Sequence, residues 1–248
     1  MRDHLGRDVP VVGTPKRVVS LVPSITDTLL ALGVLPVGRT RYCPPVPGAA
    51  DVGGTKTPDL ASVRALEPDL VLANKEENRD RDVAELARSV PVFVTDVRTV
   101  AAARAWVDEL RGLLEGRVSV SAPAPAPVPV PDGPRAVTLV WRSPLMAVGE
   151  DTYAGDLLRG CGLSNVLEDP RGRYPRVTLD ELAALRPALL VLPSEPYPWT
   201  DSEAEELEGE LARLGASAES RRVPGDALTW WGTRTERALA ELREALRL

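Results

Sequence analysis

One stretch written twice constrains this chain more than any other feature. "DLASVRALEPDLVLAN" at 59–74 aligns with "TLDELAALRPALLVLP" at 178–193, setting Leu60, Ala65, Leu66, Pro68 and Leu70 against Leu179, Ala184, Leu185, Pro187 and Leu189. Each copy reads as a short amphipathic helix, a proline that cannot continue it, and an apolar run suited to a buried strand. Upstream, "RVVSLV" (17–22) parallels "RAVTLV" (135–140), and each is followed by a helix-like segment, "TDTLLALGV" and "AGDLLRGCGL". Downstream, "VAAARAWVDELRGLL" (100–114) parallels "TERALAELREALRL" (235–248). Three matches in one order predict a duplicated α/β unit. Its strands should be parallel, because helices return the chain to the same end of the sheet each time.

Between the copies lies "APAPAPVPVPDGP" (122–134), which can be neither helix nor central strand, since its prolines lack the N–H groups that both require. As polyproline II its thirteen residues would span about 40 Å, at ~3.1 Å each. The expected organisation is an α/β lobe at 1–118, a proline-rich spacer at 119–134 and a second α/β lobe at 135–248. The 248 residues suffice for two such cores. A net charge of −6 with no basic block argues against a nucleic-acid partner. No apolar run approaches the ~20 residues of a membrane span. The opening "MRDHLGRDVPVV" has no apolar signal core, so the expected compartment is the cytoplasm, or an extracytoplasmic one if a leader or lipid anchor has been removed. Cys43 and Cys161 are too few for a disulfide framework, and whether they are joined stays open. The single histidine, His4, is expected in a mobile N-terminal segment, which argues against a His-based metal site. Cys43 alone, and Glu76 and Glu77 in a solvated loop, add none.

In these residues the chain resembles the helical-backbone solute-binding proteins of the cobalamin and ferric-siderophore type. "RVVSLVPSITDTLLALGVLPVGRTRYCPP" looks like that family's first strand, turn, helix and entry to the second strand, and the two helix–Pro–strand elements and "LTWWGTRTERALAEL" resemble later parts. The resemblance implies two Rossmann-like lobes with a ligand cleft between them. It also implies a long helix joining the lobes, and here the chain departs, with the proline-rich stretch in that place.

Ligands of open α/β sheets bind beyond the carboxyl ends of the strands. That rule selects "PSIT", "TRYCPP", "NKEEN", "WRSP", "SEPYPW" and "TWWGTR". Four of the five tryptophans fall in these loops, in a chain with only 4% aromatic residues, while Trp106 sits on a helix and is expected in the core. Flat aromatic surfaces suit a large planar ligand. The candidate contacts are Ser24, Tyr42, Trp141, Arg142, Tyr174, Trp199, Trp230, Trp231 and Arg234, the last at a position that the resemblance puts near bound ligand. No phosphate-binding glycine loop follows either first strand, which argues against a dinucleotide enzyme.

The expected function is non-catalytic binding of a metal chelate or tetrapyrrole-like molecule, foremost a cobalamin-type corrinoid, with no cofactor and no catalytic residue. The alternatives are a ferric-siderophore or haem-binding component of an ABC importer and an enzyme of tetrapyrrole or metal-cofactor metabolism. The resemblance also implies docking on a membrane permease through one acid in each lobe. Asp180, seven residues before Pro187, fits that role; Ala61, seven before Pro68, does not, and Asp59 is a displaced substitute. The missing acid adds to the expectation of a cytoplasmic binder detached from a transporter.

Overall fold

The computed structural model describes residues 1–116, 133–167 and 171–247. Almost all of the expected spacer, including its alternating prolines, lies outside the described residues. The described chain divides into two compact units. The first takes Met1–Val97, the residues from Ala101 to the end of the following helix and Trp231–Thr233; the second takes Arg98–Val100, the chain from 133 to Trp230 and the residues from Arg234 on.

In chain order the first half contains β1 (Val18–Ser20), α1 (Pro23–Ala31), β2 (Gly38–Arg39), β3 (Ala50–Asp51), α2 (Leu60–Ala65), β4 (Leu70–Asn74), α3 (Asp80–Leu86), β5 (Val92–Thr95) and α4 (Val100–Leu114). The sheet runs β3-β2-β1-β4-β5 with every pair parallel. Every residue of β1, β4 and β5 is buried, as expected of strands covered on both faces. Trp106 of α4 is fully buried, 5.4 Å from the Phe93 ring. The apolar face read from its helical period is therefore a core face.

The outer edge of β5 is covered by the first residues of the chain. His4 N–H donates to the Val94 carbonyl (3.1 Å), Val94 N–H to Asp3 Oδ2 (3.4 Å) and Asp96 N–H to His4 Nδ1 (3.1 Å). Since Nδ1 accepts, the ring proton sits on Nε2, which donates to Glu109 Oε2 at 2.8 Å. His4 is thus packed against Phe93 and Trp106, correcting the expectation of a mobile terminus. The contacts that hold it come from Phe93 and residues beyond it, out of the reach of local sequence reading.

The second half contains β6 (Arg135–Trp141), β7 (Met146–Ala147), α5 (Tyr153–Gly160), β8 (Ser164–Asn165), α6 (Leu179–Leu185), β9 (Leu189–Pro193), α7 (Asp201–Arg213), β10 (Glu219–Val223), α8 (Gly225–Thr229) and α9 (Thr235–Leu246). The sheet runs β10-β9-β6-β7, with β8 beside the start of β6; all pairs are parallel except β6 with β7. Its core gathers Leu139, Leu182, Leu190, Leu192, Trp199 and Leu207, among others.

The repeat in the sequence reappears in the backbone. Val18 pairs with Leu70 in one sheet and Ala136 with Leu189 in the other. The residues before the two repeated prolines, Glu67 and Arg186, are both left-handed, with φ of 44° and 46°. A following proline disfavours the right-handed helical region, so each helix ends there and the chain turns into its strand. Caps fix the other ends. Asp59 accepts from the Ala61 and Ser62 N–H groups, and Thr178 and Thr200 form reciprocal capping boxes with Glu181 and Glu203. The strands of the two halves stay in separate sheets, so the chain is an α/β protein with two mainly parallel sheets.

Candidate functional site

Two side-chain groups stand at the carboxyl ends of the second sheet. At the ends of β6 and β9, Trp141 lies edge-on to Tyr197 (centroids 5.7 Å apart), and Tyr197 edge-on to Trp199 (5.1 Å). Trp141 is 40% exposed, whereas Trp199 is 1% exposed and donates its Nε1–H to the Leu139 carbonyl at 2.8 Å. Trp199 is therefore a core residue that backs the group, a correction to its place among the expected contacts. Its indole N–H finds a partner only inside, which explains the orientation. The Arg142 guanidinium sits 6.0 Å from the Trp199 ring centre and donates to Glu206 at 2.6 Å, with Glu203 at 3.7 Å. Tyr197 O–H donates to Glu203, and that bond, with the Thr200 N–H, holds the Glu203 carboxyl below its ordinary range. Arg142 thus has its charge answered by its own neighbours.

The second group forms where β9 and β10 end. Gly225 N–H donates to Ser194 Oγ (2.9 Å), bringing the start of α8 against Glu195. A Cβ on Gly225 would lie 2.5 Å from the Glu195 backbone nitrogen, so only glycine allows this approach. The Arg234 guanidinium lies 5.0 Å from the Trp230 ring centre and donates to Asp226 at 2.7 Å. Burial raises the Glu195 pKa, reinforced by the Asp226 charge and opposed by hydrogen bonds from Trp230 and Thr229. The arrangement presents a half-buried indole face with a cation stacked on it, beside a partly buried carboxyl whose pKa is raised. Those are features for gripping an amide- or carboxylate-bearing planar molecule.

The remaining candidates are scattered. Trp231 is 5% exposed and packs within the first unit, 6.3 Å from Trp106. This corrects its expected exposure: of two adjacent tryptophans on an extended segment, one turns inward. Ser24 is buried in the first turn of α1, where its carbonyl accepts from Thr28 Oγ1. Tyr42, 65% exposed, follows β2, and Tyr174 lies on a segment that bonds alongside β7 through Gly149–Arg173 and Ala147–Pro175 contacts. Asp180 is exposed in the first turn of α6, while the Asp59 carboxylate is committed to capping α2.

Sequence reasoning did not single out Glu195, Glu203, Glu206 or Asp226. Glu195 lies within the quoted "SEPYPW" loop, but its setting depends on the distant Asp226 and Trp230. Among the described residues, no three His, Cys, Asp or Glu side chains are placed to hold a metal ion, and no helix is long and apolar enough to cross a membrane. Both cysteines are free and buried, and burial raises the Cys161 pKa to about 11.

No protein-family model matches the chain. It is 25% identical over 190 residues to a vitamin B12-binding protein of Salmonella choleraesuis (strain SC-B67), covering 71% of each chain. It is 24% identical over 203 residues to an Fe(3+)-citrate-binding protein of Bacillus subtilis (strain 168), covering 73% of this chain and 64% of that one. Its fold is that of the periplasmic vitamin B12 binding protein of Vibrio cholerae, with a TM-score of 0.71, 16% identity and coverage of 94% and 97%. These are binding proteins of the kind that the sequence resembles, and none is described as an enzyme. The cytoplasmic expectation is overturned: the relatives include a probable siderophore-binding lipoprotein of Bacillus subtilis (strain 168), 32% identical over 85 residues, 30% of this chain, and the Vibrio cholerae protein of like fold is described as periplasmic. It rested on the start of the chain, the proline-rich stretch in place of a joining helix and one absent acid, and none of these fixes a compartment.

Proposed function

We propose that this chain is a non-catalytic binder of a cobalamin-type corrinoid, serving as the solute-binding component of an importer. The observation that carries the reading is the pair of aromatic groups at the strand ends of the second unit, Trp141–Tyr197 and Trp230–Arg234. Trp141 is exposed and Tyr197 and Trp230 are half-buried, in a chain that has few aromatic residues and is related to vitamin B12-binding proteins. A corrin offers both a broad face for stacking and peripheral amides for Arg234 and Glu195. Tyr42 and Tyr174 supply further exposed aromatic surface, and no resident cofactor is called for. Permease docking would use Asp180, whose carboxylate stands at an exposed helix start, with no matching acid at Ala61.

The test is a titration of the full chain with cyanocobalamin, haemin and ferric citrate, followed by visible absorption and tryptophan fluorescence. Saturable quenching by cyanocobalamin is the expected result. Saturation by ferric citrate alone would favour the second reading, a ferric-chelate binder, which the Bacillus subtilis relative supports. Saturation by none of the three refutes both.

A further inference from the structure

The turn that follows β4 in the first unit carries a set of cations to which the aromatic groups give no role. An open cavity of about 630 Å³ is lined there by Lys75, Asn78, Arg79, Asp80 and Arg81. A second of about 270 Å³ shares Lys75, Asn78 and Asp80, with Arg7 and the apolar Leu5, Val83 and Val94 among its other walls. In the larger, three cations face one carboxylate. Lys75 reaches Asp96 only at 3.5 Å and Arg81 reaches Asp82 at 3.4 Å. The Arg79 guanidinium has no ion pair among the described residues.

The turn beneath these cations is fixed by two buried asparagines. Asn78 Oδ1 accepts from Asn74 N–H (2.9 Å), while Asn78 Nδ2 donates to the Thr55 carbonyl (2.9 Å) and, at 3.3 Å, to that of Leu21. Asn74 Oδ1 accepts from the Glu76 and Glu77 N–H groups (2.8 and 3.2 Å), and its Nδ2 donates to Thr95 Oγ1 at 3.0 Å. The ends of β1, β4 and β5 are thereby tied to one turn, so the backbone that carries these exposed cations is ordered before a ligand arrives. An exposed guanidinium without a carboxylate partner matches the two oxygens of a carboxylate or phosphate.

We propose that this turn is an oxyanion site for a carboxylate or phosphate group, with Arg79 and Lys75 as its contacts and Arg81 at its rim. The group is either a free small anion or part of the solute of the preceding section, and only in the second case does the site rest on that reading.

The full chain at low salt is titrated with inorganic phosphate and with citrate by calorimetry, alongside Lys75→Gln/Arg79→Gln and Asp80→Asn variants checked for native circular dichroism. Affinity should fall about tenfold or more in the double variant, rise in Asp80→Asn and weaken with added salt. In a second arm, cyanocobalamin and ferric citrate are titrated by tryptophan quenching. A loss confined to phosphate and citrate identifies a free anion, and a loss in the quenching arm identifies an anionic group of the solute. Unchanged affinity in both arms, or no phosphate or citrate binding together with unchanged quenching, overturns the site. Should no chelate quench the wild-type chain, the calorimetric arm still decides the matter, since it does not depend on the solute.

Discussion

Gly225→Ala is the sharpest test of how the second aromatic group is built. The added Cβ would lie 2.3 Å from Glu195 Cγ, 2.5 Å from its backbone nitrogen and 2.8 Å from its carbonyl oxygen. The Cγ contact can be relieved by turning the side chain, but the two backbone contacts cannot. The start of α8 must move away, straining the Gly225–Ser194 hydrogen bond and displacing Trp230 and Asp226 from Glu195. Overpacking of this kind costs about 1–3 kcal/mol, and the lost hydrogen bond adds roughly 1 kcal/mol. The expected loss is thus about 2–4 kcal/mol. With a urea m-value of roughly 2 kcal/mol/M, the midpoint should fall by about 1–2 M. Gly209→Ala is the control. It sits in α7 with nothing within 4 Å of an added Cβ, so the helix should gain about 0.5–1 kcal/mol. Urea unfolding followed by fluorescence and circular dichroism measures both. A Gly225→Ala midpoint within about 0.2 M of wild type, an effect of some 0.5 kcal/mol, would refute the close approach on which the group depends.

The tryptophans should separate by burial. Trp141→Ala and Trp230→Ala should weaken solute binding by about 1–3 kcal/mol with little change in stability. Trp199→Ala and Trp231→Ala should instead destabilise the fold by about 3–5 kcal/mol, as read from urea midpoints. The raised Glu195 pKa lets the folded state keep its proton where the unfolded chain has lost it, so its contribution to stability falls as pH rises above the ordinary carboxylate range. Glu195→Gln should therefore stabilise relative to wild type near about pH 7 and match it below about pH 4, in melts at the two values. His4→Ala should cost about 1–3 kcal/mol, because it removes the hydrogen bond to Glu109 and leaves the Asp96 N–H without its acceptor. Faster hydrogen exchange at the Asp96 amide would report the loss, and unchanged exchange would count against it.

The framework was legible because it is local. Period and proline coincide in "DLASVRALEPDLVLAN" and its copy, and to these the structure adds a cap at each helix start and a left-handed residue before each proline. The loops after β6 and β9 were legible for the same reason, since a strand's end can be read from its apolar run, whereas "TWWGTR" follows α8 and not, as expected, a strand. Which tryptophan faces outward was not. Trp199 lies beyond β9 and Trp230 directly after α8, and the Leu139 carbonyl, sixty residues from Trp199, draws that indole inward. His4, Asn78 and Glu195 escaped likewise, each being defined by partners from other elements. The compartment was misread because a motif's absence was given the weight of a motif.

The first residues of the chain have a consequence for the fate of damaged molecules. β5 reads "VFVT", four residues of high strand propensity without charge or proline, and its outer edge is satisfied at Val94 by Asp3 and His4. A nick that released this short cover would leave the parallel sheet intact while opening a bare, adhesive margin. Such margins pair with one another and seed aggregation. Trimmed molecules should therefore disappear into insoluble material while still folded, so the terminus guards the solubility of the sheet more than its shape.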